Sequence, residues 1–485
     1  MSERFKNCIN GQWTDCRSGR TFESRNPADF DDVVGEFQAS GPEDVAAACQ
    51  AAANAFPGWS STPAPRRGEF LFHAAELLDA RLEKLSAEMT REEGKTLVEA
   101  KGEIGRAINI FRYFGGEGAR QFSYQIPSER ENVFCYTVRK PLGVVACITP
   151  WNFPSAIPAW KSAPALVAGN TVVIKPASQA PLSALRLVEA LQEVGIPPGV
   201  LNYVSGAGSD VGTPLVANEA IRAVSFTGSC EVGSRVYDLA TRRRIRVQLE
   251  MGGKNPTVVL RDSNLDYAAD ILVNGAFFST GQKCTATSRA IIEKDIYEPL
   301  MEQLIIRTRA LKVGNGLEKG TQIGPAIDGA QLQTNLDYID IAKKEGARLV
   351  CGGNRVTGPK FDRGYYIEPT IFTDVTPNMR IAQEEVFGPV LAVMIAHDFE
   401  DAMRLANSIR FGLSAAIVSR DLTRVHQFIN RIHAGLVTVN LPTAGVEYQL
   451  PFGGTKESSF GMREQGPQAL DFYTESATVY LKYTQ

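Results

Sequence analysis

Gly143-Val144-Val145-Ala146-Cys147-Ile148 runs directly into Thr149-Pro150-Trp151-Asn152-Phe153-Pro154, an apolar and β-branched stretch that stops at a polar loop bounded by prolines. The chain repeats the form in Thr171-Val172-Val173-Ile174-Lys175 and in Ala223-Val224-Ser225-Phe226-Thr227. Short runs of this kind, alternating with longer amphipathic stretches, are the pattern of a parallel sheet with crossover helices. Ligands of an open parallel sheet bind at the carboxyl ends of its strands, and all three runs place polar or glycine-bearing residues there.

Outward from these runs, residues 43–56 and 66–120 read as helices, with apolar side chains at three- and four-residue spacing from Arg66 through Arg81. A second set of runs, Thr257–Leu260, Arg289–Ile292, Val390–Ile395 and Leu436–Asn440, predicts a second α/β unit, with Gly252-Gly253 near the crossing between the two. Residues 121–141 and 468–485 alternate, as in Val133–Val138 and Ala477–Leu481, and read as exposed strands. An isolated pair of that kind needs a partner sheet, which predicts a homodimer or homotetramer.

The 485 residues, 44% hydrophobic and 22% charged, suffice for two or three domains with large cores. Fifty-one basic against 54 acidic residues leave a net charge of −3, too little to recruit nucleic acid or an acidic membrane surface. No apolar run reaches membrane-span length and the amino terminus lacks a signal core, so a cytoplasmic address is expected. Eight cysteines without a CxxC pair and four histidines without HxxxH or HExxH predict no metal site and no disulfide framework.

Two segments carry candidate chemistry. Ser279-Thr280-Gly281-Gln282-Lys283-Cys284-Thr285 sets one cysteine among small polar residues, and Leu249-Glu250-Met251-Gly252-Gly253-Lys254-Asn255-Pro256 supplies a lone carboxylate beside a flexible Gly-Gly. A cysteine attacks a carbonyl as thiolate, and a carboxylate that accepts its proton, or later a water's, makes thioester chemistry feasible at neutral pH. Taken alone, Cys284 reads rather as a small buried hydrophobe, which is what most free cysteines are.

Together with Thr149–Pro154 and Gln383-Glu384-Glu385-Val386-Phe387-Gly388-Pro389, these segments resemble the NAD(P)-dependent aldehyde dehydrogenase superfamily, nearly end to end from Ile9–Trp13 to Pro451–Gly454. The resemblance implies the α/β aldehyde dehydrogenase fold. Residues 1–120 and 142–251 would form a Rossmann-like cofactor domain and 252–467 a catalytic domain. Residues 121–141 and 468–485 would be small β arms that bridge subunits. It further implies Cys284 as nucleophile, Glu250 as water activator and Asn152 as oxyanion donor. For the cofactor it implies Gly228 and Ser229 in the Phe-Thr-Gly-Ser dinucleotide loop, Lys175 and Ser178 at the adenine-side ribose, and Thr149 and Trp151 along the cleft. Glu385 would hold the nicotinamide ribose and Phe387 the ring. As bare residues, Asn152 reads also as a turn asparagine, Glu385 as a solvated charge and Ser178 as a helix N-cap. NAD-specific members of the superfamily carry a glutamate where this chain has Ser178; without that charge, NADP is expected to be accepted alongside NAD and even preferred.

For the substrate, the segments around Asn152, Glu250, Cys284 and Gly445–Gly454, with Phe460–Gly466, look most like members that oxidise 2-oxoglutarate semialdehyde (2,5-dioxopentanoate). Members acting on succinate semialdehyde pair the substrate carboxylate with two arginines, at positions that here are Trp160 and Phe278. With Phe153 and Phe452 they compose an apolar pocket, where an unpaired carboxylate would be costly. Either another cation, such as Arg112 or Lys161, reaches the site, or the substrate is an uncharged aliphatic or aromatic aldehyde. A coenzyme A-acylating enzyme and a non-catalytic structural protein of this fold are the remaining alternatives; retention of Glu250 argues for hydrolysis, and retention of Cys284, Asn152 and Gly228 for catalysis.

Overall fold

The computed structural model describes residues 3–121 and 123–484. Five parallel strands, Leu201–Tyr203, Thr171–Lys175, Val144–Ile148, Ile221–Thr227 and Arg246–Glu250, form the centre of an eight-stranded sheet in that order. Strands 144–148 and 171–175 are buried at every residue, because helices cover both faces. The order reverses between Val144–Ile148 and Ile221–Thr227, so their carboxyl ends open a crevice where a ligand can lie.

A second, seven-stranded sheet has six parallel strands in the order Thr370–Thr373, Val390–Ala396, Thr287–Glu293, Asn255–Val259, Ser414–Val418 and Leu436–Val439. It contains all four runs that the sequence assigned to a second α/β unit. The chain leaves the first sheet at Glu250 and enters the second at Asn255, so the carboxyl edge of one faces the amino edge of the other across Met251–Lys254. Ser459–Phe460 returns to pair antiparallel with Leu249–Glu250, closing the first sheet with residues from far along the chain.

Residues 42–117 fold into four helices, Pro42–Ser61, Ala64–Ala80, Leu82–Glu93 and Leu97–Glu117. Gly94, at φ 92°, ends the third, and Thr96 starts the fourth with a capping box completed by Glu99. Gln125–Pro127, Val133–Pro141 and Thr474–Lys482 form a separate three-stranded antiparallel sheet with Tyr124, Ile126, Tyr480 and Tyr483 exposed. No helix among the described residues is long and apolar enough to cross a membrane.

Candidate active site

Along the carboxyl edge of the first sheet, Lys175 pairs with Ile148, Ile148 with Phe226, and Thr227 with Glu250. At about 4.8 Å per strand, roughly 14 Å separates Lys175 from Glu250. A 910 Å³ cleft follows this edge, lined by Thr149, Trp151, Lys175, Ser178, Gly228 and Ser229 among others. Through Pro150, Trp151, Thr227, Gly228 and Ser229 it continues into a 260 Å³ inner cavity lined by Asn152, Cys284, Glu385 and Phe387.

Several cleft groups lack a protein partner. Lys175 is buried, burial depresses its ammonium to about 8, and among the described residues its Nζ has no hydrogen bond or ion pair. The buried hydroxyls of Thr149 and Thr227 are likewise unbonded. Buried polar groups are ordinarily satisfied, so these three fit a polar, anionic ligand such as a dinucleotide. Ser229 caps the thirteen-residue helix Cys230–Arg242 and leaves the helix's amino-terminal N–H groups toward the cleft, where they favour a pyrophosphate. Nothing in the sequence sets Thr227 apart within its run; its buried, unbonded hydroxyl in the cleft does. Ser178 is not an N-cap: the following helix begins at Pro181 after Ala180, and Ser178 Oγ instead donates to Gly206 O at 3.0 Å.

Cys284 is held by three devices. Ser279, Thr280 and Gly281 take left-handed φ of 56°, 56° and 66°, a conformation costly for the β-branched Thr280. Glu99 Oε1 accepts from Ser279 N at 2.6 Å and Thr280 Oγ1 donates to Gly324 O, which fixes the turn. Asn255 Nδ2 then donates at 2.8 Å to both Cys284 O and Ala286 O, tying the cysteine loop to the amino edge of the second sheet. Cys284 is half-buried, and burial, followed by the charges of Glu385 and Glu250, pushes its thiol well above the usual range.

Asn152 donates one amide proton to Gln282 O at 3.0 Å, leaving its second donor beside Cys284 in the inner cavity. From behind, Lys95 Nζ donates to Asn152 O at 2.8 Å and to Glu103 Oε2 at 2.5 Å, while Glu103 Oε1 accepts from Ser155 N and Ala156 N. Glu250, 2% exposed, accepts from Ser459 Oγ at 2.6 Å. Burial, then repulsion from Glu464, raises its carboxyl well above the ordinary range. Glu385 Oε1 accepts from Gly253 N at 2.9 Å, and burial raises it to about 7. A side chain at Gly252 would strike the Glu385 carboxylate, so only glycine allows this approach. Phe387 stands edge-on to Trp151 at 5.2 Å.

The predicted pocket residues are not all brought together. Trp160 packs on Phe452 at 5.5 Å and donates Nε1–H to Glu464, and Phe153 lies under Lys95 Nζ at 4.6 Å. Phe278 lines neither cavity of the cleft; it faces a separate recess with Asp270 and Arg307. The left-handed turn at Ser279 and Thr280 lies between it and Cys284. Neither proposed cation is free: Lys161 is fully buried in an ion pair with Glu464, and Arg112 pairs with Asp79 at the surface at 2.7 Å. Among the described residues no cluster of histidine, cysteine or carboxylate side chains could hold a metal.

The family model described as the aldehyde dehydrogenase family matches residues 13–479. The chain is similar to the alpha-ketoglutarate semialdehyde dehydrogenase of Haloferax volcanii, 48% identical over all of both chains. It is also similar to the alpha-ketoglutaric semialdehyde dehydrogenase of Bacillus subtilis, 47% identical over 99% of this chain and 98% of that one. Among solved structures, an NAD-dependent aldehyde dehydrogenase from Sinorhizobium meliloti superposes with a TM-score of 0.97 at 35% identity, over 100% of this chain and 96% of that one.

Proposed function

The chain belongs to the aldehyde dehydrogenase family, and from that premise we propose that it oxidises 2,5-dioxopentanoate (2-oxoglutarate semialdehyde) to the dicarboxylic acid with NADP or NAD. The observation that carries the chemistry is the continuity of the inner cavity, holding Cys284 and Asn152, with a cleft whose buried Lys175, Thr149 and Thr227 lack protein partners. Full-length identity to relatives named for this semialdehyde supports the substrate.

When bound, the nicotinamide dinucleotide supplies the hydride acceptor. Lys175, Ser178 and the amino end of the Cys230–Arg242 helix hold its ribose and phosphates, and Glu385, Phe387 and Trp151 its nicotinamide half. Cys284 loses its proton to solvent and the thiolate attacks the aldehyde carbon. The oxyanion is met by the free Asn152 Nδ2–H and the Cys284 backbone N–H. Loss of hydride leaves a thioester on Sγ, and Glu250 takes a proton from the water that hydrolyses it. That the Ser459 bond holds Glu250 ready for this step favours hydrolysis over transfer to coenzyme A.

We read residues 1–120 and 142–251 as the cofactor unit, 252–467 as the catalytic unit, and the three-stranded sheet as the arm of a cytoplasmic dimer or tetramer. Sedimentation velocity tests the assembly. The activity is tested by kcat/KM values for 2,5-dioxopentanoate, succinate semialdehyde, hexanal and benzaldehyde. The first is expected to lead; hexanal or benzaldehyde ahead of both acids would overturn the substrate.

A further inference from the structure

The substrate reading leaves one charge to be answered, since Phe153, Trp160 and Phe452 cannot pair a carboxylate. We propose that Arg106 receives the carboxylate of the substrate; this rests on the semialdehyde reading above. Arg106 lies on the helix Leu97–Glu117, one turn after Glu103, the residue that anchors the Asn152 loop through Lys95, Ser155 and Ala156. Its guanidinium carbon is 5.8 Å from the centre of the Trp160 ring, which packs on Phe452. The next residue, Gly453, has Glu250 Oε1 2.7 Å from the position a Cβ would take.

Arg106 is partly buried, yet among the described residues it forms no ion pair, and its Nε is buried without a hydrogen-bond partner. Nη1 donates to Val446 O and Nη2 to Gln465 Oε1, neutral groups that orient the fork without cancelling its charge. The carboxylates whose fields reach it are otherwise engaged: Glu103 with Lys95 and two backbone N–H groups, and Glu447 with Gln449. Arg463, the other unpaired guanidinium here, is bonded to Gly454 O and lies against Gly453, where its charge acts on Glu250. Arg106 therefore keeps a pre-oriented charge beside the aromatic wall, suited to a carboxylate.

The test compares wild type, Arg106→Ala and Arg106→Lys as full-length enzyme with cofactor, reading kcat/KM for 2,5-dioxopentanoate relative to uncharged pentanal. Arg106→Ala should lower that ratio by about 10- to 100-fold, chiefly through KM, and Arg106→Lys should restore part of it. An unchanged ratio, including equal losses on both substrates, would overturn the assignment. A wild type that prefers pentanal would instead overturn the substrate reading alone. Arg106 is then tested by glutarate inhibition of pentanal oxidation, which should need about tenfold more glutarate in Arg106→Ala; equal inhibition in the two enzymes contradicts the proposal. Should the alanine variant not fold, Arg106→Lys and Arg106→Gln carry the same comparison.

Discussion

Ser459 donates its hydroxyl to Glu250 Oε2 at 2.6 Å, joining residues 209 apart in the chain at the point where Ser459–Phe460 pairs with Leu249–Glu250. Burial and Glu464 push the Glu250 carboxyl up, while this bond, Lys161 and Arg463 pull it down. A hydrogen bond to the ionised form favours ionisation, so its loss raises the pKa further. The base works only when deprotonated; kcat should rise with pH in wild type, and Ser459→Ala should move that rise to higher pH. At neutral pH kcat should fall about three- to tenfold, the scale of one hydrogen bond. A pH–rate profile checks it, and superimposable profiles would release Ser459 from this role.

Asn152 is placed by a buried ion pair. Asn152→Ala should lower kcat by about 100- to 1000-fold, the usual loss of one oxyanion donor. Glu103→Ala should reduce unfolding free energy by about 3–5 kcal/mol, because Lys95 keeps only the more distant Glu93, at 3.8 Å, as counter-charge. Urea unfolding measures the second effect; a midpoint within error of wild type would refute it.

Local pattern made much of this legible. The unalternating runs located strands of both sheets, and the Cys284 and Asn152 segments named groups that line one cavity, where Met251 and Gly252 of the Glu250 segment also stand. Long-range contacts were not legible: Ser459 on Glu250, Asn255 on the Cys284 carbonyl, and the lack of an ion pair at Arg106 exist only once distant segments pack. Lys161 looked available because its partner, Glu464, lies 303 residues away. Phe278 sits six positions before Cys284, but the positive φ angles at Ser279 and Thr280 break the relation between spacing and direction.

On the proposed reading, cofactor choice depends on Ser178, which carries no charge to repel a 2′-phosphate. NADP should at least match NAD in kcat/KM, and Ser178→Glu should shift preference toward NAD by about 1–3 kcal/mol. Burial depresses Lys175 to about 8, so its ammonium is present below that pH and lost above it. The Kd for NADP should accordingly weaken as pH passes 8, more steeply than that for NAD. Titration by fluorescence quenching reads both, and a wild type confined to NAD would refute the reading.

The proposed reaction oxidises the aldehyde while it is bound to Cys284 and releases the acid through Glu250. Glu250→Gln, mixed with 2,5-dioxopentanoate and NADP, should give a burst of reduced cofactor of about one equivalent per site and then almost stop. Intact-protein and peptide mass spectrometry of the quenched reaction should find the acyl group of the substrate on Cys284, and none in Cys284→Ala. Steady turnover at the wild-type rate with no adduct on Cys284 would contradict the account.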